Sequence, residues 1–231
     1  GRDKNKSARA LETAGCDIAI VDDGFQHWRL RRDLDIVAID STFSLSNQKV
    51  LPVGRLREPL SCLKRADIFV LTKTDFMPES TQQCKNTLQR INPNALMVST
   101  IYQPLCFYDV YSGTCCDVLS KEFQGKPVFI LVGIANPFYF DKLLSGLGLK
   151  IVREFIFPDH YEYSQNDMLR IKELADNLSV GTIITTQKDA ERLKHLLDYL
   201  APLRLLCLKI QVTITENEEA FHSRLLSVCN R

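Results

Sequence analysis

The stretch Asp35–Asp40 reads DIVAID, and the stretch Ile68–Thr72 reads IFVLT. Both are short apolar runs without alternating polar residues, a pattern that is typical of strands buried on both faces of a parallel sheet. A helical pattern, Ser80–Arg90, follows the second run. Strands that alternate with helices predict an α/β fold built on a parallel sheet.

The same alternation continues on both sides of these strands. Upstream, we predict a helix over Ser7–Ala14 and a strand over Asp17–Val21. Downstream, four strands alternate with four helices, at Val128–Val132, Pro137–Leu147, Ile151–Phe157, Asp167–Asn177, Thr182–Thr186, Asp189–Tyr199, Leu205–Val212 and Glu218–Val228. Between these regions, aromatic residues and a turn at Ser112–Gly113 predict short antiparallel strands. We therefore predict a core at 1–96, a β-rich connector at 97–126 and a smaller α/β lobe at 127–231.

Composition limits the function classes. The 231 residues are 45% hydrophobic and 25% charged, which is typical of a globular protein. The net charge of +1 creates no global field toward nucleic acid, so no nucleic-acid partner is expected. The eight cysteines form no CxxC pair, which favours reduced thiols over a zinc site. No apolar run reaches the roughly 18 residues of a membrane-spanning helix.

Asp22 and Asp23 follow the predicted strand Asp17–Val21. In nucleoside triphosphate enzymes, an aspartate at such a strand end holds Mg²⁺. The carboxyl ends of parallel strands also face the crevice where phosphates bind. Asp-Asp-Gly is equally common in simple turns. Gln26 and His27 come directly afterwards, and because a turn does not need such a cluster, we favour a functional site.

Three further segments carry candidate residues. Arg55 and Arg57 could clamp phosphate through bidentate guanidinium contacts, or could form an ordinary solvated loop with an Arg–Glu pair. Lys73 ends a strand within the sequence TKTD, which could pack beside a nucleotide as in GTP-binding switches, or could simply be an exposed lysine. His160 follows Asp159 and could be a general base or a hydrogen-bonding partner for one, although a lone histidine is more often structural.

Two other segments have competing interpretations. Thr185–Asp189 is consistent with a helix start capped by Thr186 or Gln187, or with a site that presents the Lys188 cation. Trp28 stands beside Arg29, Arg31 and Arg32, an arrangement suited to anionic headgroups or to an ordinary basic loop.

Five motifs, taken in order, resemble the tetraacyldisaccharide 4′-kinase family. They are DDGFQH at 22–27, LPVGRLREPL at 51–60, GIANP at 133–137, FPDH at 157–160 and TTQKD at 185–189. The resemblance implies a P-loop-NTPase-like parallel core with a smaller C-terminal α/β lobe. It also implies transfer of the γ-phosphate of ATP, with Mg²⁺, to the 4′-hydroxyl of the lipid A disaccharide 1-phosphate precursor. The expected location is peripheral, on the cytoplasmic face of an inner membrane or in an organelle of bacterial origin such as a mitochondrion.

The resemblance also implies roles for individual residues. Asp22, Asp23 and His160 would be catalytic, with Asp23 contacting the metal. The residues that would bind nucleotide and phosphate are Arg55, Arg57 and Lys73, and those that would bind the sugar substrate are Gln26 and His27.

The chain departs from the family pattern in three respects. It contains no GxxxxGK[ST] sequence, and it has Asp3-Lys4 where we expect an Asp-Arg pair. It also has Arg55 where we expect a small residue or proline before the LREP run. We therefore expect the Walker A strand and loop, and the catalytic base, to lie upstream of this chain. Because phosphoryl transfer depends on positioning and charge neutralisation, the chain could be inactive alone. The alternative function is a non-catalytic remnant that binds lipid or a partner.

Overall fold

A computed structural model describes residues 4–45, 48–54 and 56–229. The helices in these ranges are α1 (Lys4–Thr13), α2 (Pro78–Ile91), α3 (Pro137–Ser145), α4 (Gln165–Asn177), α5 (Gln187–Leu193), α6 (Leu197–Leu200) and α7 (Glu218–Cys229), with 3₁₀ turns at Leu60–Arg65 and Lys194–Leu196. The strands are β1 (Ile36–Asp40), β2 (Ile68–Thr72), β3 (Leu96–Asp109), β4 (Cys115–Asp117), β5 (Pro127–Val132), β6 (Lys150–Ile156), β7 (Thr182–Thr186) and β8 (Arg204–Glu216). None of the helices in the described ranges is long and apolar enough to cross a bilayer.

The chain forms two compact units. Unit 1 comprises residues 1–102 and 212–231, and unit 2 comprises residues 103–211. The chain passes between the units within β3 and again within β8. The division into 1–96, 97–126 and 127–231 stays a prediction about domains, and it differs from the two units because residues 212–231 return to unit 1.

Unit 1 contains the strands that the apolar runs predict. β1 pairs in parallel with β2, in register Ile36 to Ile68, and β2 pairs in parallel with β3, in register Ile68 to Leu96. The side chains of Phe69, Leu71 and Leu88 are fully buried and join β2 to α2. The predicted parallel α/β arrangement is therefore confirmed in this unit.

Unit 2 is built around β5, which is buried on both faces. Val128, Ile130 and Val132 pack into one apolar cluster, and Phe129 and Leu131 pack into another. This explains why β5 is apolar at consecutive positions rather than at alternate ones. β5 pairs in parallel with β6 and β7, β7 pairs in parallel with β8, and β4 is antiparallel to β3.

Caps fix the helix starts beside these strands. Asn136 accepts a hydrogen bond from the backbone N–H of Tyr139 at the start of α3. Ser164 and Asp167 form a reciprocal capping box at the start of α4. Side-chain oxygens at these positions satisfy backbone donors that a helix leaves without partners in its first turn. The helices therefore begin at fixed residues after β5 and β6.

The predicted strand over Asp17–Val21 is wrong. These residues lie in an irregular segment, in which the side chain of Ile20 is 94% exposed. A strand is held by hydrogen bonds to a neighbour, and no strand in the described part of the chain pairs with this segment. Its apolar pattern alone therefore did not determine its conformation.

Two predicted lengths were also wrong. The connector contains the predicted antiparallel pair, β3 and the short β4, on either side of the turn at Ser112–Gly113, but β3 is a strand of 14 residues instead of a short one. The single helix predicted over Asp189–Tyr199 is divided by the 3₁₀ turn at Lys194–Leu196. In both cases the apolar pattern was correct, but pattern alone does not determine where an element ends.

Candidate functional site

The Asp22–Asp23 turn is held from two sides. Lys4 Nζ donates to the carbonyl oxygen of Asp22 and, over 3.1 Å, to that of Asp23. Asp23 has a backbone φ of 51°, in the left-handed region that aspartate tolerates better than most residues. A Cβ at buried Gly24 would lie 2.9 Å from Val21 Cγ1, so a side chain there would displace the turn. Lys4 and Gly24 therefore both favour this conformation of the turn.

Asp23 forms an ion pair with Arg57. Arg57 Nη1 lies 2.6 Å from Asp23 Oδ2, and both side chains are exposed. The hydrogen bond from Arg57 holds the pKa of the Asp23 carboxyl below its ordinary value, with smaller contributions from Lys4 and His27. In turn, Asp23 raises the pKa of Arg57. The carboxylate is thus ionised and accessible at neutral pH.

The residues after the turn are anchored by a cluster of Trp28, Glu58 and Arg65. Trp28 Nε1 donates to Glu58 Oε1 over 2.9 Å, and Arg65 Nη2 donates to Glu58 Oε2 over 2.9 Å. The Arg65 guanidinium lies 3.9 Å from the Trp28 ring centroid and 4.5 Å from that of Phe25. These charge-assisted and cation–π contacts fix the segment that contains Gln26 and His27 against the segment that contains Arg57.

An apolar cavity of about 330 Å³ lies beside these segments. Gln26 and Arg57 line it together with residues of β1 and the 3₁₀ turn. Its polar lining includes Asp40, which ends β1 and whose Oδ2 lies 2.5 Å from Lys73 Nζ. Burial acts to raise the pKa of the Asp40 carboxyl, but hydrogen bonds from Lys73 and Thr42 lower it overall. The ionic and amide side chains that line this otherwise apolar space in unit 1 are Gln26, Asp40, Gln48, Arg57 and Glu58.

His160 lies in unit 2, after β6, in an exposed position with φ of 63°. Arg192 Nη2 lies 3.0 Å from His160 Nδ1. Because a guanidinium has only donors, Nδ1 must accept this hydrogen bond, and a neutral ring then carries its proton on Nε2. Nε2 lies 3.7 Å from Asp159 Oδ2, and Asp159 Oδ1 pairs with Lys188 over 2.8 Å. In this arrangement His160 offers its Nε2–H as a donor. The Nδ1 lone pair, which a general base would need, already accepts the hydrogen bond from Arg192.

The buried Asp189 carboxylate contacts Arg192. Its side chain is fully buried, and it accepts hydrogen bonds from Tyr163 Oη over 3.0 Å, Gly133 N over 3.1 Å and Thr186 Oγ1 over 2.8 Å. Arg192 Nη1 lies 3.4 Å from Asp189 Oδ1. Burial and the Asp189 charge raise the pKa of Tyr163, which remains a neutral donor. The predicted cap at Thr186 is confirmed, since its side chain accepts from the Asp189 backbone N–H.

The predicted site residues fall into two groups. Asp22, Asp23, Gln26, His27, Arg57 and Lys73 lie in unit 1, and His160 lies in unit 2. Arg55 lies outside the described residues. Sequence reasoning missed the contacts made by Asp40, Glu58, Arg65, Asp189 and Arg192. An acidic or basic residue next to a named motif was the only available signal for them.

The donor set of the turn fits a magnesium ion. Mg²⁺ prefers carboxylate oxygens, and it is commonly bound through one or two carboxylates together with substrate phosphates and water. Asp22 and Asp23 are adjacent exposed carboxylates on a turn with a fixed backbone. The described residues contain no cluster of three or more His, Cys, Asp or Glu side chains that could hold a metal alone. The turn therefore suits a metal that arrives with a phosphate ligand.

Comparison with known proteins gives a consistent picture. The family described as LpxK, tetraacyldisaccharide-1-P 4′-kinase, matches residues 1–230. A protein of Halothermothrix orenii named tetraacyldisaccharide 4′-kinase is 35% identical over 228 residues, which cover 92% of this chain and 59% of that protein. One of the same name from Bdellovibrio bacteriovorus is 37% identical over 205 residues, which cover 88% and 59%.

A solved structure shows the same fold. A crystal structure of LpxK from Aquifex aeolicus, described as an apo form in complex with ATP, superposes with a TM-score of 0.60 at 23% identity. It covers 89% of this chain and 55% of that protein. This chain spans 59% of the length of the first two relatives. The resemblance found in the motifs is confirmed, and the chain belongs to the LpxK, tetraacyldisaccharide 4′-kinase, family.

Proposed function

We propose that this chain takes part in the ATP-dependent phosphorylation of the 4′-hydroxyl of tetraacyldisaccharide 1-phosphate, in lipid A biosynthesis. The observation that carries the proposal is the Asp23–Arg57 pair, which joins the DDGFQH and LREP motifs at 2.6 Å beside an apolar cavity. Phosphoryl transfer needs carboxylates for a metal and cations for phosphate oxygens. Both are present here on adjoining loops, and relatives that match about nine-tenths of this chain carry the kinase name.

Each charged residue would have a separate role toward the metal or the phosphates. Asp22 and Asp23 would hold the Mg²⁺ that accompanies ATP, with Asp23 as the direct ligand. When bound, the metal would neutralise charge on the phosphates. Arg57 would then exchange its bond to Asp23 for a bond to a phosphate oxygen, since guanidinium binds both groups with the same geometry. Arg55 and Lys73 are proposed to assist with phosphate and nucleotide.

The substrate side would involve Gln26 and His27, which follow the carboxylate turn. Gln26 lines the cavity, and its amide can both donate to and accept from sugar hydroxyls. His160 would act as a hydrogen-bond donor through Nε2, in keeping with its contact to Arg192. We propose that the disaccharide headgroup approaches the Asp22–Asp23 turn from the side of Gln26.

The substrate is a lipid, so the location would be the membrane surface. We propose peripheral association with the cytoplasmic face of an inner membrane, or with an organelle of bacterial origin. The exposed cations Arg29 and Arg31 are available for anionic headgroups. Arg32 is not, because its guanidinium binds Asp35 over 2.5 Å and the His27 carbonyl oxygen over 2.7 Å.

The test is phosphorylation of tetraacyldisaccharide 1-phosphate by this chain with radiolabelled ATP and Mg²⁺. Product formation that is lost in Asp23→Asn and Arg57→Gln would support the proposal. The matched controls Asp176→Asn and Arg153→Gln change exposed residues of unit 2 and should retain activity. ATP binding without product would overturn catalysis by this chain and favour the non-catalytic alternative. If the chain neither binds ATP nor forms product, the proposed nucleotide site itself is overturned.

A further inference from the structure

The described residues 48–54 and Leu56 form a tight, hydrogen-bonded loop. Leu51 N donates to the Leu56 carbonyl oxygen over 2.8 Å, and Leu56 N donates to the Lys49 carbonyl oxygen over 3.1 Å. Gly54 N donates to the Val50 carbonyl oxygen over 3.2 Å. A Cβ at Gly54 would lie only 2.0 Å from the Lys49 oxygen, so only glycine allows this closure. The backbone bonds therefore hold the tip of the loop in one conformation.

The tip is apolar and faces solvent. Its residues Val50, Leu51, Pro52 and Val53 are all exposed, and Leu51 and Val53 are 60% and 74% exposed. Single exposed apolar residues are ordinary on protein surfaces, but four consecutive ones on a rigid protrusion are not. Leaving them in water sacrifices the stabilisation that their burial would provide. The tip therefore has the properties of a surface that is covered by a partner.

Trp28 is fixed close to the base of the same loop. Its indole N–H binds Glu58, the residue after Arg57, and the Arg65 guanidinium packs on one part of the ring, while the residue as a whole is 67% exposed. Tryptophan is enriched at membrane–water interfaces because its ring is apolar and its N–H is polar. Here the N–H is satisfied by the protein and the ring is left accessible.

Exposed cations lie in the two segments that carry these apolar groups. The sequence contains no Asp or Glu between residues 24 and 32 or between residues 41 and 57. Arg29, Arg31 and Lys49 in these segments are exposed. Arg32 and Arg57 are already paired with carboxylates of the chain. An apolar tip flanked by cations matches a bilayer with anionic headgroups. The acyl region can bury the apolar side chains, and the headgroups can bind the cations. The phosphates of a nucleic acid would bind the cations but would leave the apolar tip exposed.

We propose that the tip Val50–Val53 inserts into an anionic lipid surface, with Trp28 at the level of the headgroups. The inference deepens the proposed function, because a kinase acting on a lipid must reach its acceptor at the membrane. Insertion would place Gln26, Arg57 and the cavity, which adjoin the loop, next to the bilayer surface. Membrane binding is measured without ATP or acceptor. The chain can therefore fail to bind vesicles and still phosphorylate the acceptor, or bind vesicles and fail to phosphorylate it.

The experiment uses Trp28 as its own reporter, because it is the only tryptophan in the chain. The chain is titrated with phosphatidylcholine vesicles that contain phosphatidylglycerol, and with vesicles in which the acyl chains are brominated. We expect a blue shift of the emission and quenching by bromine. The double variant Leu51→Ser/Val53→Ser should bind about tenfold more weakly or worse, because it removes two apolar side chains from the inserted surface. Vesicles of phosphatidylcholine alone should bind the unchanged chain more weakly.

The matched control is Leu119→Ser, which changes an equally exposed leucine (69%) in unit 2 and should bind like the unchanged chain. All three positions are at the surface, so urea unfolding should show similar stability for the variants. Equal vesicle binding by the loop variant and the control would overturn the proposal. A change in oligomeric state on gel filtration that only the loop variant causes would also overturn the proposal, because the tip would then be a protein interface.

Discussion

Arg57 Nη1 donates to Asp23 Oδ2 over 2.6 Å and thereby joins two loops whose residues are 34 positions apart in sequence. The pair is exposed, and exposed ion pairs contribute little to stability because water screens them. Its effect is on ionisation, since it keeps the Asp23 carboxyl charged over a wider pH range. Both groups are therefore in the charge state that a phosphate-and-metal site needs.

Replacing Arg57 with glutamine should raise the pKa of Asp23 toward its ordinary value. The pKa is lowered in the folded chain, so the stabilisation is present above the unfolded-state pKa and is lost as the pH falls through the folded one. Titration of the Asp23 carboxyl ¹³C resonance by NMR measures the change. Arg31→Gln removes an equally charged side chain from a nearby segment and should leave the titration unaltered. An unchanged Asp23 titration in the Arg57 variant would contradict the ion pair.

Trp28 fluorescence should report the ionisation of Glu58. Burial acts to raise the pKa of this carboxyl, but hydrogen bonds from Arg65 and Trp28 outweigh it and lower the pKa. The cluster is therefore intact above the ordinary glutamate range, and it is lost as the pH falls through the lowered value. We expect a change in Trp28 emission with a midpoint below the usual 4.5.

Two variants test the assignment of this transition. Arg65→Met removes the donor that lowers the pKa, so the midpoint should move up. Glu58→Gln removes the titrating group, so the transition should disappear. If it persisted in Glu58→Gln, another group would be responsible.

Gly133→Ala should destabilise the chain by about 1–3 kcal/mol, because overpacking forces backbone or side-chain shifts. The added methyl would lie 2.9 Å from Tyr163 Oη and 3.3 Å from Asp189 Oδ1, within the buried network. Gly181→Ala is the matched control, since nothing lies within 4 Å of its added methyl. Urea unfolding of both variants measures the difference in free energy of unfolding. Equal stability would show that the network has room at Gly133.

The neutral ring of His160 should carry its proton on Nε2, because Arg192 donates to Nδ1. The ¹⁵N chemical shifts and two-bond couplings of the ring distinguish this tautomer from the other. In Arg192→Gln, the amide can donate or accept, so both tautomers should be populated. Arg153→Gln should leave the pattern unchanged. A dominant Nδ1–H form in the unchanged chain would contradict the contact.

The parts of the fold that depend on local pattern were predicted from the sequence. β1, β2, β5 and β7 follow from apolar runs, and α4 was predicted over Asp167–Asn177, two residues short of its observed start. The segment 17–21 has the same kind of run and is not a strand. Strand formation depends on a neighbouring chain segment, and no local pattern reveals whether one is present.

The site was predictable in residue type but not in pairing. The sequence marked Asp23 and Arg57 separately, yet it gave no reason to join residues that distant. Lys73 was predicted to lie near a nucleotide, and the structure shows its ion pair with Asp40, so its role toward nucleotide stays a prediction. His160 was a candidate base, and only the position of Arg192 shows which ring nitrogen is occupied. Contacts of this kind arise from tertiary packing.

The return of residues 212–231 to unit 1 has a consequence for biosynthesis. Glu216 accepts a hydrogen bond from Ser99 Oγ over 2.6 Å, and Asn217 Nδ2 donates to the Met97 carbonyl oxygen over 2.8 Å. A ribosome releases these partners last, because chains grow from the N-terminus. Unit 2 is one continuous segment, 103–211, and has all of its residues earlier. The part of unit 1 that precedes unit 2 therefore gains these partners only after all of unit 2 has been synthesised.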